Sequence, residues 1–317
     1  MTEAAEKASR VVVVTRTKDR PVLLRRAMES VLGQQFEPWT HVVVNDGGDP
    51  IPVDLLVAEY AVRYRGRLKV IHHAKSLGMQ NASNSALQAT ESEFAAIHDD
   101  DDSWEPAFLE KCVGYLDQQG AESSVQGVVS HTHWIFEEID VHGNVVELWR
   151  QDFPVPETIK LAEVAGENRF PPIAFLYRRK AHEVVGLFSE TFGPLGDWEF
   201  NLRFLSRFDI GVVPEKLARW HWRHQGGGTA YGNTVTAGVV VHKEMEARMF
   251  NHYMRLDMES GKPGLGHLMN VSRQIVQMSR KVDEIRGRVE QAAGTVSATL
   301  DQAEHLNRIT RDLARLW

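Results

Sequence analysis

The chain of 317 residues has a single cysteine, Cys112, so no internal disulfide can form and a reducing compartment is expected. It has no apolar run long enough to span a membrane. Its start, Met1-Thr2-Glu3-Ala4-Ala5-Glu6, lacks the apolar core of a signal peptide. Basic charge is not in excess: the formal net charge is -7, which argues against general binding of nucleic acid. Neither a Gly-x-Gly-x-x-Gly fingerprint nor a Walker A loop follows the first predicted strand, which excludes the usual dinucleotide and P-loop sites. These absences lead to the expectation of a soluble, cytoplasmic protein, with at most peripheral contact at the inner face of a membrane.

What is present begins with an acidic ladder. Glu93-Phe94-Ala95-Ala96-Ile97 reads as a short buried strand, and Asp99, Asp100, Asp101 and Asp102 follow directly after His98. Four adjacent carboxylates repel one another unless a cation neutralises them, and their hard oxygens suit Mg²⁺ or Mn²⁺ shared with substrate phosphates. The competing reading is a solvated turn in which Asp102 or Ser103 caps a helix starting near Glu105-Pro106. A cap uses one side chain, which leaves three carboxylates without a reason, so the metal reading is preferred.

The ladder ends the fourth of a series of strands. Val11-Val12-Val13-Val14 is fully apolar, as a strand covered on both faces must be. Asp19 offers a cap for a helix running from Pro21 to Gly33. His41-Val42-Val43-Val44 and Leu68-Lys69-Val70-Ile71 are the second and third strands, with a helix near residues 80–89. Strands and helices alternating at this spacing predict an α/β fold with a doubly wound, mainly parallel sheet. After about Gly127 the rhythm changes to a hairpin, 128–139 with 145–149, then a strand at 173–177, read as a smaller mixed β layer. From Leu268 to Leu306, Val271, Ile275, Met278, Val282, Ile285, Val289, Ala292, Val296, Thr299 and Ala303 step alternately by three and four. That is the a and d pattern of a coiled coil, and it predicts a homo-oligomer through residues 268–316. The expected organisation is a flexible terminus at 1–9, one domain at 10–260 with halves at 10–126 and 127–235, and a coiled-coil helix at 261–317.

In a parallel sheet the polar ends of strands share one edge, where ligands bind. Thr15-Arg16, Asn45-Asp46 and Asp99 to Asp102 stand at three such ends. Asp197, after Gly193, Pro194 and Gly196, sits at the mouth of a predicted helix. A carboxylate there is unremarkable as a helix cap and a better candidate as a general base. Glu199 is the second choice, since two helix positions further on it points elsewhere. Arg219-Trp220-His221-Trp222-Arg223-His224 before Gly226-Gly227-Gly228 reads as a loop that closes over phosphates. His131, His133 and Trp134 share a hairpin strand whose aromatic face could take a ligand ring.

Taken in order, Val-Thr-Arg-Thr-Lys-Asp-Arg-Pro, Asn-Asp-Gly, Gly-x-x-x-Ala-x-Asn, Asp-x-Asp-Asp-x-Trp and Gly-Asp-Trp-Glu resemble the GT-A glycosyltransferases of family 2, over about Val11 to Gly228. The resemblance implies an inverting, metal-dependent enzyme that moves a monosaccharide from a nucleotide-diphosphate sugar to a glycan or lipid-linked acceptor, in bacterial surface polysaccharide synthesis. It implies that Thr15, Arg16 and Asp46 hold the nucleoside and that Asn84 belongs to the donor site. Asp99, with Asp100 beside it, would face the ribose or the metal's water shell, and Asp101 would bind Mg²⁺ or Mn²⁺. Asp197 would be the base, and His221 or His224 would complete the metal shell, with placement favouring His221. The ligand ring on the aromatic face at Trp134 would then be an acceptor sugar. Ser83 stands where the family commonly has arginine, so Lys75 or Arg16 would supply the missing charge to the diphosphate. A sugar-nucleotide nucleotidyltransferase and a non-catalytic coiled-coil scaffold with a sugar-binding domain are the two rival readings.

Overall fold

The computed structural model describes residues 9–140, 142–223 and 239–314. It opens with β1 (Val11–Thr17), α1 (Pro21–Leu32), β2 (Trp39–Asp46), α2 (Pro50–Tyr64), β3 (Leu68–His73), α3 (Met79–Gln88), β4 (Phe94–Ile97), β5 (Ser103–Trp104) and α4 (Phe108–Gln119). There follow β6 (Val125–Ile139), β7 (Val145–Phe153), α5 (Leu161–Gly166), β8 (Phe175–Arg178), α6 (Ala181–Val185), α7 (Gly196–Leu205) and β9 (Asp209–Trp222), then α8 (Val239–Ser260) and α9 (Leu265–Ala314).

The expected α/β fold is the one found. One nine-stranded sheet has the order β3-β2-β1-β4-β8-β6-β9-β5, with β7 added beside β6. β3, β2, β1 and β4 are parallel, and Val11 to Val14 at their centre are wholly inaccessible, as an apolar run between two helical layers requires. β8 joins β4 antiparallel and carries the sheet on into β6 and β9. The strands of the second half therefore extend the first sheet at its edge. Cys112 lies fully buried in α4, and burial pushes its thiol pKa up, as befits a packed side chain rather than a nucleophile.

Two caps differ from expectation. The cap residue of α1 is Arg20, without a side-chain bond. Asp19 instead adopts φ 55 and its Oδ1 accepts the N–H of Asp49 at 2.9 Å. α4 begins at Phe108 behind Ala107, so neither Asp102 nor Ser103 caps it. A third difference matters more: Arg219 to Trp222 form the end of strand β9, not a loop. The triple glycine beyond drew attention away from the period-two alternation Arg-Trp-His-Trp-Arg, which is itself a strand signal.

α9 is a continuous helix, about 75 Å long at 1.5 Å per residue. Its first turns dock on the domain. Met269 and Ser272 are buried, a side chain on Gly166 of α5 would collide with Val276 and the Ser272 backbone, and Arg273 pairs with Glu246 of α8. Beyond that contact Met278, Val282, Ile285, Val289 and Val296 are each more than half exposed.

Candidate active site

At the end of β1, Thr15 points into the interior. Its Oγ1 meets His41 Nε2 at 2.8 Å, and His41 Nδ1 meets the Tyr64 hydroxyl at 2.8 Å, a buried polar chain beneath the sheet. Arg16 takes the other face. Its Nε donates to Asp99 Oδ1 at 2.8 Å and its Nη1 reaches Ser83 Oγ at 3.4 Å. The serine that stands in place of an arginine is thus covered by the guanidinium of Arg16.

At the end of β2, Asp46 uses both oxygens to hold the loop after β3. Oδ1 accepts from the Leu77 N–H and His73 (2.8 Å each), and Oδ2 from Ser76 Oγ at 2.7 Å and the Gly78 N–H at 2.9 Å. Burial alone raises a carboxyl pKa, but these bonds to the charged form outweigh it and hold Asp46 down to about 2. Lys75 is exposed on the same loop. Asn84 on α3 is buried and bonded at both ends to the Phe188 backbone, at 2.9 and 3.1 Å.

The aspartate ladder is neutralised by arginines. Asp99 pairs with Arg16, the fully buried Asp100 with Arg20 at 2.7 Å, and Asp101 with Arg20 and Arg223. Asp102 accepts the His221 N–H at 2.9 Å. Glu137 of β6 gathers Arg26, Arg223 and His221 Nδ1, the last at 2.7 Å, while His221 Nε2 lies 2.9 Å from Ser103 Oγ. Burial raises the pKa of Asp100 and of Asp102. In Asp101 the arginines overcome burial and lower it, and Glu137 is held at about 2 against burial by bonds from His221 and Arg26. The charge argument from sequence asked for a cation and preferred a metal ion; guanidinium groups from other elements supply part of that charge.

Fit to a divalent ion divides by residue. Asp99 and Asp101 line an open cavity, so one carboxylate together with diphosphate oxygens and water can complete a Mg²⁺ or Mn²⁺ shell. His221 is buried with both ring nitrogens facing protein partners, and among the described residues no three His, Cys, Asp or Glu side chains converge as a metal cage. His224 lies outside the described residues.

Asp197 occupies the first turn of α7 and lines the same cavity. Its Oδ2 accepts from Asn168 Nδ2 at 3.0 Å, and Asn168 Oδ1 accepts from Asn201 at 3.2 Å. Burial, reinforced by the charge of Asp99, pushes Asp197 up to about 6. Glu199 turns away, bonded to Arg203 at 2.6 and 2.7 Å and to the Tyr253 hydroxyl at 2.6 Å. Gly196, next to Asp197, lies close under Gln80: a Cβ there would stand 2.4 Å from that side chain, which would have to move.

Two cavities meet at this point. One, about 260 Å³, is lined by Asp197, Asn168, Phe153 and Trp220; the other, about 420 Å³, by Lys18, Asp19, Arg20, Asp46 and Ser76. Arg16, Met79, Asp99 and Asp101 belong to both. Of the residues singled out from sequence, Arg16, Asp46, Asp99, Asp101 and Asp197 are brought together, whereas Thr15, Lys75, Asn84, Asp100 and His221 line neither cavity. Asn168, Glu137, Arg20 and Arg26 escaped sequence reading. Asn168 sits in irregular chain with no periodic signal, and the others act across elements 75 or more residues apart in sequence.

The family model for glycosyl transferase family 2 matches residues 11–186. Among curated relatives, an uncharacterized glycosyltransferase, YwdF of Bacillus subtilis, is 26% identical over 206 residues, 65% of this chain and 71% of that protein. The succinoglycan biosynthesis protein ExoW of Rhizobium meliloti is 36% identical over 104 residues, 32% of each. Two solved structures share the fold. S. aureus TarS 1-349 in complex with UDP-GlcNAc superposes with TM-score 0.52 at 19% identity, over 68% of this chain and 59% of that one. The mannosyltransferase PcManGT of Pyrobaculum calidifontis, in complex with GDP-Man and Mn2+, gives 0.55 at 16%, over 78% and 65%. The chain thus spans about three fifths of the TarS fragment it resembles.

Proposed function

Since this chain belongs to glycosyl transferase family 2, we propose that it is an inverting, metal-dependent glycosyltransferase. It moves a monosaccharide from a nucleotide-diphosphate sugar to a hydroxyl of a glycan or lipid-linked acceptor. The observation that carries this reading is the placement of Asp197 across a shared junction, Arg16, Asp99 and Asp101, from the cavity bounded by Asp46. A nucleotide lies in the larger cavity, with Arg16 and Arg20 offering cationic edges to its diphosphate. The sugar occupies the junction and the acceptor enters beside Asp197.

Asp197, ionised, takes the proton of the acceptor hydroxyl as that oxygen bonds to the anomeric carbon. The bond from that carbon to the diphosphate oxygen breaks, the nucleoside diphosphate leaves, and the configuration inverts. Asn168 holds the Asp197 carboxylate through Oδ2 and so fixes its orientation toward the acceptor. Asp101 is the residue suited to hold Mg²⁺ or Mn²⁺, which when bound would stabilise charge on the departing diphosphate. The PcManGT complex with GDP-Man and Mn2+ supports a divalent ion, and the TarS complex with UDP-GlcNAc supports a nucleotide-sugar donor. Similarity to ExoW supports polysaccharide assembly as the setting, at the inner face of a membrane that the chain touches only peripherally: among the described residues no helix is long and apolar enough to cross one. Residues 10–260 act as the catalytic domain and α9 as an oligomerisation helix.

The test is transfer from a panel of nucleotide sugars, with Mn²⁺ and after chelation. Asp197→Asn should lower turnover by a factor of about 10²–10⁴, the usual worth of a general base, while the melting temperature is retained. Near-normal turnover in that variant would remove the base from the scheme, and release of pyrophosphate instead of a nucleoside diphosphate would mark nucleotidyl transfer.

A further inference from the structure

The alternation on β6, β7 and β9 sorts side chains by face. Glu137, His221 and Arg223 point into the ionic cluster, and Trp134, Phe153 and Trp220 lie together on the opposite face. Trp134 and Trp220 are register partners and their rings stack at 5.6 Å with 19° between planes. Phe153 stands edge-on to Trp220 at 5.3 Å and 84°. Trp220 is thus braced from two sides, and it and Phe153 form a wall of the cavity that holds Asp197. Neither belongs to the cavity bounded by Asp46, so this wall lies on the side of the junction away from the proposed nucleotide position.

We propose that Trp220 and Phe153 form the acceptor subsite and that its occupant is a saccharide ring. The assignment rests on the glycosyltransferase reading and adds the acceptor's chemical class. A sugar ring has an apolar face of C–H groups and a hydroxylated rim. This cavity offers the complement, an aromatic wall with the carboxylates of Asp197 and Asp99 and the amide of Asn168 around it. A lipid tail uses the wall but sets apolar chain against those carboxylates, whereas a sugar's hydroxyls can bond to them while its C–H face meets the wall. A rigid wall also limits the entropy lost when the acceptor hydroxyl is brought to Asp197.

The test measures binding apart from turnover. Methyl glycosides of common hexoses and N-acetylhexosamines, and the corresponding disaccharides, are titrated into the full chain by saturation-transfer NMR. UDP and GDP with Mn²⁺ are followed separately by thermal shift. At least one saccharide should contact the protein through its C–H face. Trp220→Ala should weaken that contact tenfold or more, and Trp220→Phe should recover part of it, with the nucleotide-induced shift the same in all three proteins. Asp197→Asn should keep the saccharide contact although its transfer is lost. Saccharide binding that survives Trp220→Ala, no saccharide contact in the wild type, or displacement only by polyprenyl phosphate vesicles would each overturn the assignment. If transfer proves absent while saccharide contact at Trp220 persists, the enzymatic reading fails and the subsite stands. If transfer proceeds with an acceptor KM unchanged in Trp220→Ala, the subsite fails and the enzymatic reading stands.

Discussion

As the proposed general base, Asp197 has to be ionised at neutral pH and still basic enough to take a proton, and a pKa pushed up to about 6 meets both demands. A base must be unprotonated to act, so kcat/KM should fall tenfold per unit of pH below about 6 and level off above it. Asn168 donates to the charged form and therefore lowers this value. In Asn168→Ala the acid limb of the pH profile should move to higher pH, a displacement that a merely structural asparagine would not cause. Glu137 bears a different load. Glu137→Gln removes the anion that Arg26, Arg223 and the His221 ring share in a buried site, with Asp101 still paired to Arg223, and breaking such a buried cluster costs about 3–5 kcal/mol in urea unfolding. Because folding lowers the Glu137 pKa to about 2, its contribution is fully present above the ordinary glutamate value and is lost as pH falls toward 2. The glutamine variant should lack that part of the wild type's acid sensitivity. Of these residues only Asp197 stood out in the sequence, because a Gly-Pro-x-Gly frame announces a helix mouth. Asn168 and Glu137 owe their positions to contacts 29 and 84 residues away, which no local pattern encodes.

Secondary elements obeyed their patterns wherever one period dominated. The four-valine run of β1 formed a strand, and the steps of three and four in α9 formed one long helix. The turn after β2 shows what a single glycine contributes. Gly47 has φ 74, and a Cβ there would stand 2.2 Å from the Ser76 nitrogen that Asp46 helps to hold in place. Gly47→Ala should therefore lose both stability and nucleotide-induced thermal shift, since the strain and the collision fall on a loop that faces the larger cavity. On α9 the apolar seam is exposed where it leaves the domain, so Ile285→Asp should leave the melting of the catalytic domain unchanged. Surface substitutions alone shift stability by no more than about 0.5 kcal/mol. If α9 self-associates, analytical ultracentrifugation should show that variant as a smaller species than the wild type. β9 was misread because a strand alternating Arg, Trp, His, Trp and Arg has apolar residues on one face and charges on the other. Both faces are occupied, the charged one by a buried ionic cluster, and a charged buried face looks like surface in a sequence.

For the whole molecule, the parallel order β3-β2-β1-β4 places the ends of β1, β2 and β4 along one edge, and β8 turns the sheet so that β6 and β9 complete the site from the other side. That topology makes two adjoining cavities out of segments spread over two hundred residues. A nucleotide sugar accepted by the larger cavity should raise the melting temperature with Mn²⁺ by mass action, and a panel scored this way identifies the donor. The same topology adds a second source of charge to the electrostatic inference from the acidic ladder. Four aspartates in sequence demand compensating charge, and the fold supplies Arg16 from β1, Arg20 and Arg26 from the approach to α1 and α1 itself, and Arg223 from just beyond β9.

The sequence by itself determined the alternation of strands and helices, the family motifs and the carboxylates at strand ends, because hydrophobic period and local turn chemistry act over a few residues. Only the tertiary structure decided which of those polar groups face a cavity and which are consumed in holding it open. That choice depends on partners distant in the chain, and the burial that shifts a carboxylate's pKa exists only once those partners have packed together.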